Sequence, residues 1–153
     1  MDKLLALLSG RNGSHRIEDL LLLLLRLAIG GAMLTHGIGK IMNFSELAPT
    51  FIDPFGIGST PSLVLAMLAE VLGSIALMLG VLTRVSALVL LFTMGTATYA
   101  VGMLKGWAGA ELAFIYSLVY LTLMVQGGGR IGLEHFWLSK RRKAKALAKE
   151  KSA

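Results

Sequence analysis

Cysteine is absent from the chain, and its absence excludes thiol–disulfide exchange, thiolate nucleophiles and iron–sulfur ligation. Any redox role therefore needs a diffusible cofactor. Charge is also scarce: Asp, Glu, Lys and Arg make up 16% of the residues. They crowd toward the two ends instead of recurring along helix faces, as a soluble bundle requires. Of the three histidines, only His36 falls inside a long apolar stretch. Bis-histidine haem ligation and closed zinc sites lack ligands, and His36, Glu70 and Glu111 form the sole, poor donor set for a metal. No phosphate-cradling loop or nucleophile elbow is present. The apolar run near Met1 is too short and too weakly flanked by basic residues for a secretory signal.

What the chain has instead is apolar bulk, 55% of its residues with a mean hydropathy of +0.71, more than a soluble domain of this size carries. A helix needs about 20 apolar residues to cross roughly 30 Å of hydrocarbon, and four segments meet that requirement. They cover residues 19–42, 62–82, 84–104 and 109–126, the last ended by Gly127, Gly128 and Gly129. The pattern predicts an all-α, polytopic membrane protein: a four-transmembrane-helix up-down bundle. Residues 1–18 form an amphipathic lead-in, 19–134 the membrane domain and 135–153 a basic tail.

Between the first two spans, residues 43–61 hold all three prolines. This stretch is too polar and broken for a fifth span and reads as an ordered cap, with Ser59 and Thr60 as candidate caps of the second span. Phe51 and Phe55 within it are placed either to dip into the interface or to lie on a plain surface loop.

Lysine and arginine bias sets the orientation. Lys3, Arg11, Arg16, Arg84, Arg130 and the tail fall on one side of an alternating four-span chain, and only Lys40 and Lys105 fall on the other. Both termini are therefore expected in the cytoplasm, and the protein in a bacterial inner membrane. The net charge of +6 comes largely from the tail. With no aromatic residue interleaved among its charges, the tail reads as an anchor on anionic lipid headgroups and not as a nucleic-acid arm.

Ionisable side chains inside a span are costly and ask for a partner or a wet cavity. His36 and Lys40 are four residues apart and share a helix face. At 1.5 Å per residue, Glu70 lies about 12 Å into the second span from its outer end, level with His36. Glu111 opens the fourth span, Tyr116 follows it, and Tyr99 approaches from the third. Alternating spans bring these six to one level, as a polar pocket opening outward or as a set of ties between helices. In the expected pairing Glu70 bonds His36 and Lys40 offsets their charge, with Lys40 pairing Glu111 in the tie arrangement. Arg26, about 15 Å from His36, is expected to snorkel to its own interface or to pair with Glu18 or Glu134. Gly31, Thr35 and Gly39 on the first span and Ala69 and Gly73 on the second, at four-residue spacing, suggest close helix packing.

The run His36-Gly37-Ile38-Gly39-Lys40, the stretch Ala69-Glu70-Val71-Leu72-Gly73 continuing through Gly80 to Thr83-Arg84, and Glu111-Leu112-Ala113 resemble the DoxX family of bacterial membrane proteins. Gly127-Gly128-Gly129-Arg130 resembles that family's glycine-rich exit from the last helix. Gly128 stands where a proline is usual, and Gly132 where a serine is common. The resemblance covers about residues 20–134 and implies a four-helix membrane fold loosely associated with redox chemistry, some relatives being subunits of a thiosulfate:quinone oxidoreductase.

Two expectations follow. In the first the protein is a quinone-interacting subunit of a membrane oxidoreductase, with His36 and Glu70 as the catalytic pair that bonds and protonates a quinone carbonyl. Lys40, Glu111, Tyr99 and Tyr116 then bind substrate, the quinone is non-covalent, and electrons come from a partner subunit or from substrate. In the second it is a non-enzymatic scaffold or small-solute carrier. Membrane lipid, a redox partner subunit and a second copy of the chain are the expected partners.

Overall fold

A computed structural model describes residues 15–141. The lead-in segment through residue 14 and the basic tail beyond residue 141 lie outside the described residues. The described residues form helices and no strand: α1 His15–Met42, α2 Phe44–Leu47, α3 Ser59–Leu79, α4 Thr83–Lys105 and α5 Trp107–Gln126, followed by a helical stretch at 133–141. Three helices, α3, α4 and α5, are long and apolar enough to cross a membrane. The long α1, of 28 residues, begins near Glu18 and ends near Lys40, charges that complement the helix dipole at each end.

Helix ends follow local chemistry. Gly80 closes α3 in the left-handed conformation, its N–H and that of Val81 returning to Ala76 and Leu77 carbonyls, the glycine stop expected of a tight reversal. Gly106 both ends α4 and precedes α5. The start of α3 differs from expectation. Gly58 occupies the N-cap position, Ser59 and Thr60 are already helical, and the capping oxygens come from Asp53. Its carboxylate accepts the Ile57 and Gly58 N–H groups at 3.1 and 2.6 Å and the Ser62 hydroxyl at 2.9 Å. These three bonds hold Asp53 below the ordinary carboxylate range, the Gly58 N–H contributing most.

Packing pairs α1 with α3 and α4 with α5, and α3 joins the pairs by meeting α4. The core between them holds Met33, Leu77, Leu90, Tyr116, Tyr120 and Leu123. Leucines such as Leu21, Leu24, Leu68 and Leu72 remain exposed, as lipid-facing side chains are. The α1 face against α3 is Arg26, Gly30, Met33, Gly37 and Lys40, one residue away from the glycine stripe expected. Gly31 and Gly39 have open space where a side chain would stand, whereas a Cβ on Gly37 would lie 2.7 Å from Val71 Cγ2. Glycine at 37 thus lets the two backbones approach.

At the end of the bundle where α3 turns into α4, the segment after α5 folds back under the turn. Arg130 N–H donates to Asp19 Oδ1 at 2.8 Å and Glu134 N–H to the Gly80 carbonyl at 3.0 Å. Beyond it, Lys140 lies 4.4 Å over the Phe136 ring, a cation–π contact.

Candidate functional site

Helices α1, α3, α4 and α5 together with the 43–58 loop line a half-open cavity of about 830 Å³. Its walls are apolar, Leu88, Phe92 and Ala97 from α4 and Leu112 and Ala113 from α5 among them. The loop forms part of the wall through Phe51, Ile52, Phe55 and Ile57. The Phe55 ring stacks on that of Phe92 with centroids 6.0 Å apart and planes inclined by 7°. Since Phe92 is nine residues into α4, about 14 Å from the turn, the loop reaches well down the bundle. Phe51 and Phe55 therefore line the cavity, an inward role that the sequence does not signal.

The polar part of the lining is His36, Lys40, Glu70 and Tyr116, with the smaller hydroxyls of Ser62, Thr93 and Thr96. Helix α1 supplies His36 and Lys40, α3 supplies Glu70 and α5 supplies Tyr116. Lys40 Nζ donates to both Glu70 oxygens, at 2.7 and 2.6 Å. The carboxylate is 2% exposed and the lysine 22%, a depth at which an unpaired charge would be expensive.

The pairing corrects the expected one. Glu70 bonds Lys40, which shares its helix face with Gly37 and so points at α3. His36 is set about 40° from Lys40 and about 100° from Gly37 round α1 and makes no hydrogen bond among the described residues. Its ring meets Tyr116 edge-on, centroids 6.0 Å apart and planes at 88°. Tyr116 in turn stacks on Tyr120 at 6.0 Å, whose fully buried hydroxyl has no partner among the described residues.

Two of the six expected residues are not brought to the cavity. Tyr99 is 70% exposed on the outer side of α4, and Glu111 is exposed and absent from the lining. Neither pairs with Lys40, whose charge goes to Glu70. Tyr120 beneath Tyr116 and the stack of Phe55 on Phe92 are additions to the six expected residues. The four-residue step from Tyr116 to Tyr120 was the available signal for the first, and nothing local signals the second.

A smaller, more polar cavity of about 270 Å³ lies at the turn end, among Arg26, Thr83, Arg84, Gly128, Glu134 and neighbouring backbone. Arg26 corrects its expectation as well. It neither snorkels nor pairs with Glu18 or Glu134; it is 0% exposed and donates through Nη2 to the Ile131 carbonyl. Glu134 instead accepts the Thr83 N–H at 3.3 Å.

Fold and sites together define a small helical membrane protein that holds one apolar and one polar cavity at opposite ends of its bundle. The DoxX family profile matches residues 21–103, and the chain belongs to the DoxX family. It is 29% identical over 136 residues to an uncharacterized protein of Haemophilus influenzae, covering 84% of this chain and 99% of that one. To a second uncharacterized protein of that organism it is 31% identical over 121 residues, covering 74% of this chain and 80% of the other. No solved structure matches it.

Proposed function

We propose that this DoxX-family protein crosses the bacterial inner membrane four times, with both termini cytoplasmic, and binds a membrane-soluble quinone in its larger cavity. In this role it is a subunit or partner of a membrane oxidoreductase. The observation that carries the reading is the lining of that cavity. Apolar walls from the loop, α4 and α5 suit an isoprenoid chain and the flat face of a ring. The unbonded His36 imidazole and the Lys40/Glu70 pair suit carbonyl oxygens. A volume of about 830 Å³ lies within the range of small-molecule sites, roughly 300–1,000 Å³.

A bound quinone supplies two-electron, two-proton redox chemistry. The protein's own groups orient the carbonyls and hold protons. His36, whose ring nitrogens have no partner, would give a proton to one carbonyl oxygen, and water entering at the loop end would supply the proton of the other and restore that of His36. Lys40 keeps the Glu70 carboxylate in place and sets a positive field beside the carbonyl. The stacked Phe55 and Phe92 rings, each more than half exposed, stand at the rim of the cavity and offer a flat apolar face to the quinone ring. Electrons come from a partner subunit or directly from substrate, since the chain has no cysteine to carry them.

Binding is tested with purified protein titrated with a short-chain ubiquinone analogue. Saturable thermal stabilisation, weakened at least about tenfold in affinity by Phe92→Ala and by His36→Asn, supports the site. Equal stabilisation of wild type and both variants, or none, overturns it.

One observation favours the second reading, a non-enzymatic scaffold or carrier: the two short Lys40/Glu70 bonds tie α1 to α3 directly. Glu70→Gln with His36→Asn separates the readings. A folded variant without cellular function points to a ligand site, and an unfolded one points to the tie.

A further inference from the structure

The turn-end cavity presents a buried cation that makes no ion pair among the described residues. Arg26 is 0% exposed, and its Nε and Nη1 have no hydrogen-bond partner among the described residues. No carboxylate there forms an ion pair with it, since the one described pair is Lys40 with Glu70. Thr83, 1% exposed, leaves its Oγ1 equally unpartnered.

The two orphaned groups converge. A Cβ on Gly128 would lie 2.5 Å from Thr83 Oγ1 and 2.8 Å from Arg26 Nη1, so the two groups stand close enough to share one acceptor, and only glycine lets both approach this closely. Arg84 and Glu134 also line the cavity, so its formal charge, two arginines against one carboxylate, is +1. Leaving buried donors and a buried charge without partners is costly, and a pocket with this balance is matched by one anion.

We propose that this pocket binds a phosphate-type oxyanion, one oxygen accepting from Arg26 and Thr83 beside Gly128, with Arg84 facing the remaining oxygens. The cradle has the planar donor fork of arginine, a hydroxyl and a glycine that admits close approach. A lipid phosphodiester headgroup and a free phosphate ion share this chemistry. The cavity lies beneath the α3–α4 turn, at the end of the bundle away from the larger cavity, so its occupancy does not depend on the quinone reading.

The test compares wild-type protein, Thr83→Val and Gly128→Ala by thermal unfolding. Each is measured with inorganic phosphate against sodium chloride of equal ionic strength, and in phosphatidylglycerol against phosphatidylcholine nanodiscs. The expected result is a rise of about 3 °C or more in the wild-type melting temperature with at least one phosphate probe, absent in both variants. Stabilisation by phosphate identifies a free ion as sufficient. Stabilisation by phosphatidylglycerol alone, with that lipid retained in native mass spectra of wild type and lost from Thr83→Val, identifies a headgroup. If Gly128→Ala does not fold, Thr83→Val decides, because replacing an unpartnered hydroxyl by a methyl does not itself destabilise an empty pocket. No wild-type shift with either probe, or the same shift in Thr83→Val, overturns the proposal.

Discussion

Helix α1 carries two cations on one face, Arg26 and Lys40, fourteen residues and nearly four turns apart, and the protein treats them oppositely. Lys40 meets a carboxylate on the neighbouring helix with two short bonds. Arg26 meets a backbone carbonyl, glycines and an unpartnered hydroxyl. The first charge is balanced within the chain, next to a large apolar cavity; the second is not, next to a small polar one. The difference teaches that the two ends serve different roles: one holds an internal ion pair in the wall of an apolar cavity, and the other keeps donors available.

The strongest way to break the contrast is at the paired end. Lys40→Met strands the Glu70 carboxylate and is expected to cost about 3–5 kcal/mol, whereas Lys40→Met with Glu70→Leu is expected to cost clearly less than that single change. Additive losses in this double-mutant cycle, followed by denaturant unfolding in micelles, would show two independent side chains. A second break separates the helices that carry the pair. In Gly37→Val the new side chain meets Val71 and the Glu70 Cβ, so a loss of about 1–3 kcal/mol is expected, with weaker quinone-analogue binding alongside.

Gly31→Ala sharpens the comparison by its smallness. No atom stands within 4 Å of the added carbon, so stability should change by less than about 0.5 kcal/mol, or rise through helix propensity. A loss as large as that of Gly37→Val would mean that the α1 face is misassigned.

The smallest effect concerns the loop that walls the larger cavity. Asp53 is held below its ordinary value of 3.8 by its backbone and Ser62 bonds. Its contribution is therefore fully present above that value and is lost as pH falls through the lower, folded one. Limited proteolysis at residues 43–58 should quicken on such acidification in wild type. Asp53→Asn should be nicked faster at neutral pH and respond less to acid, and identical digestion profiles would remove Asp53 from the loop's support.

The helices themselves were legible. Hydropathy placed their ends within four residues, and glycine marked the stop at Gly127, whereas the second span, expected to run to residue 82, ends before Gly80. The level of the ionisable groups along the bundle was legible too, since a rise of 1.5 Å per residue converts position into depth. His36, Lys40, Glu70 and Tyr116 do share the cavity. Their partners were not legible. Lys40 and His36 are separated by only about 40° around α1, and either one was a plausible neighbour for Glu70 from the sequence. Tyr99 had the right depth and the wrong side of α4.

The sequence by itself determined that the chain is apolar helix punctuated by glycine and proline, that it has no cysteine chemistry, and that it carries the family's motifs. Each of those properties is local or is summed along the chain. Only the tertiary structure decided which way each helix face turns. That azimuth is fixed by contacts between residues far apart in the chain, above all the close passage of Gly37 along Val71 and the return of residues 130–134 beneath Gly80. Rotating α1 by one residue, about 100°, would send Lys40 away from Glu70 and Arg26 away from Thr83, with no change in composition, hydropathy or span.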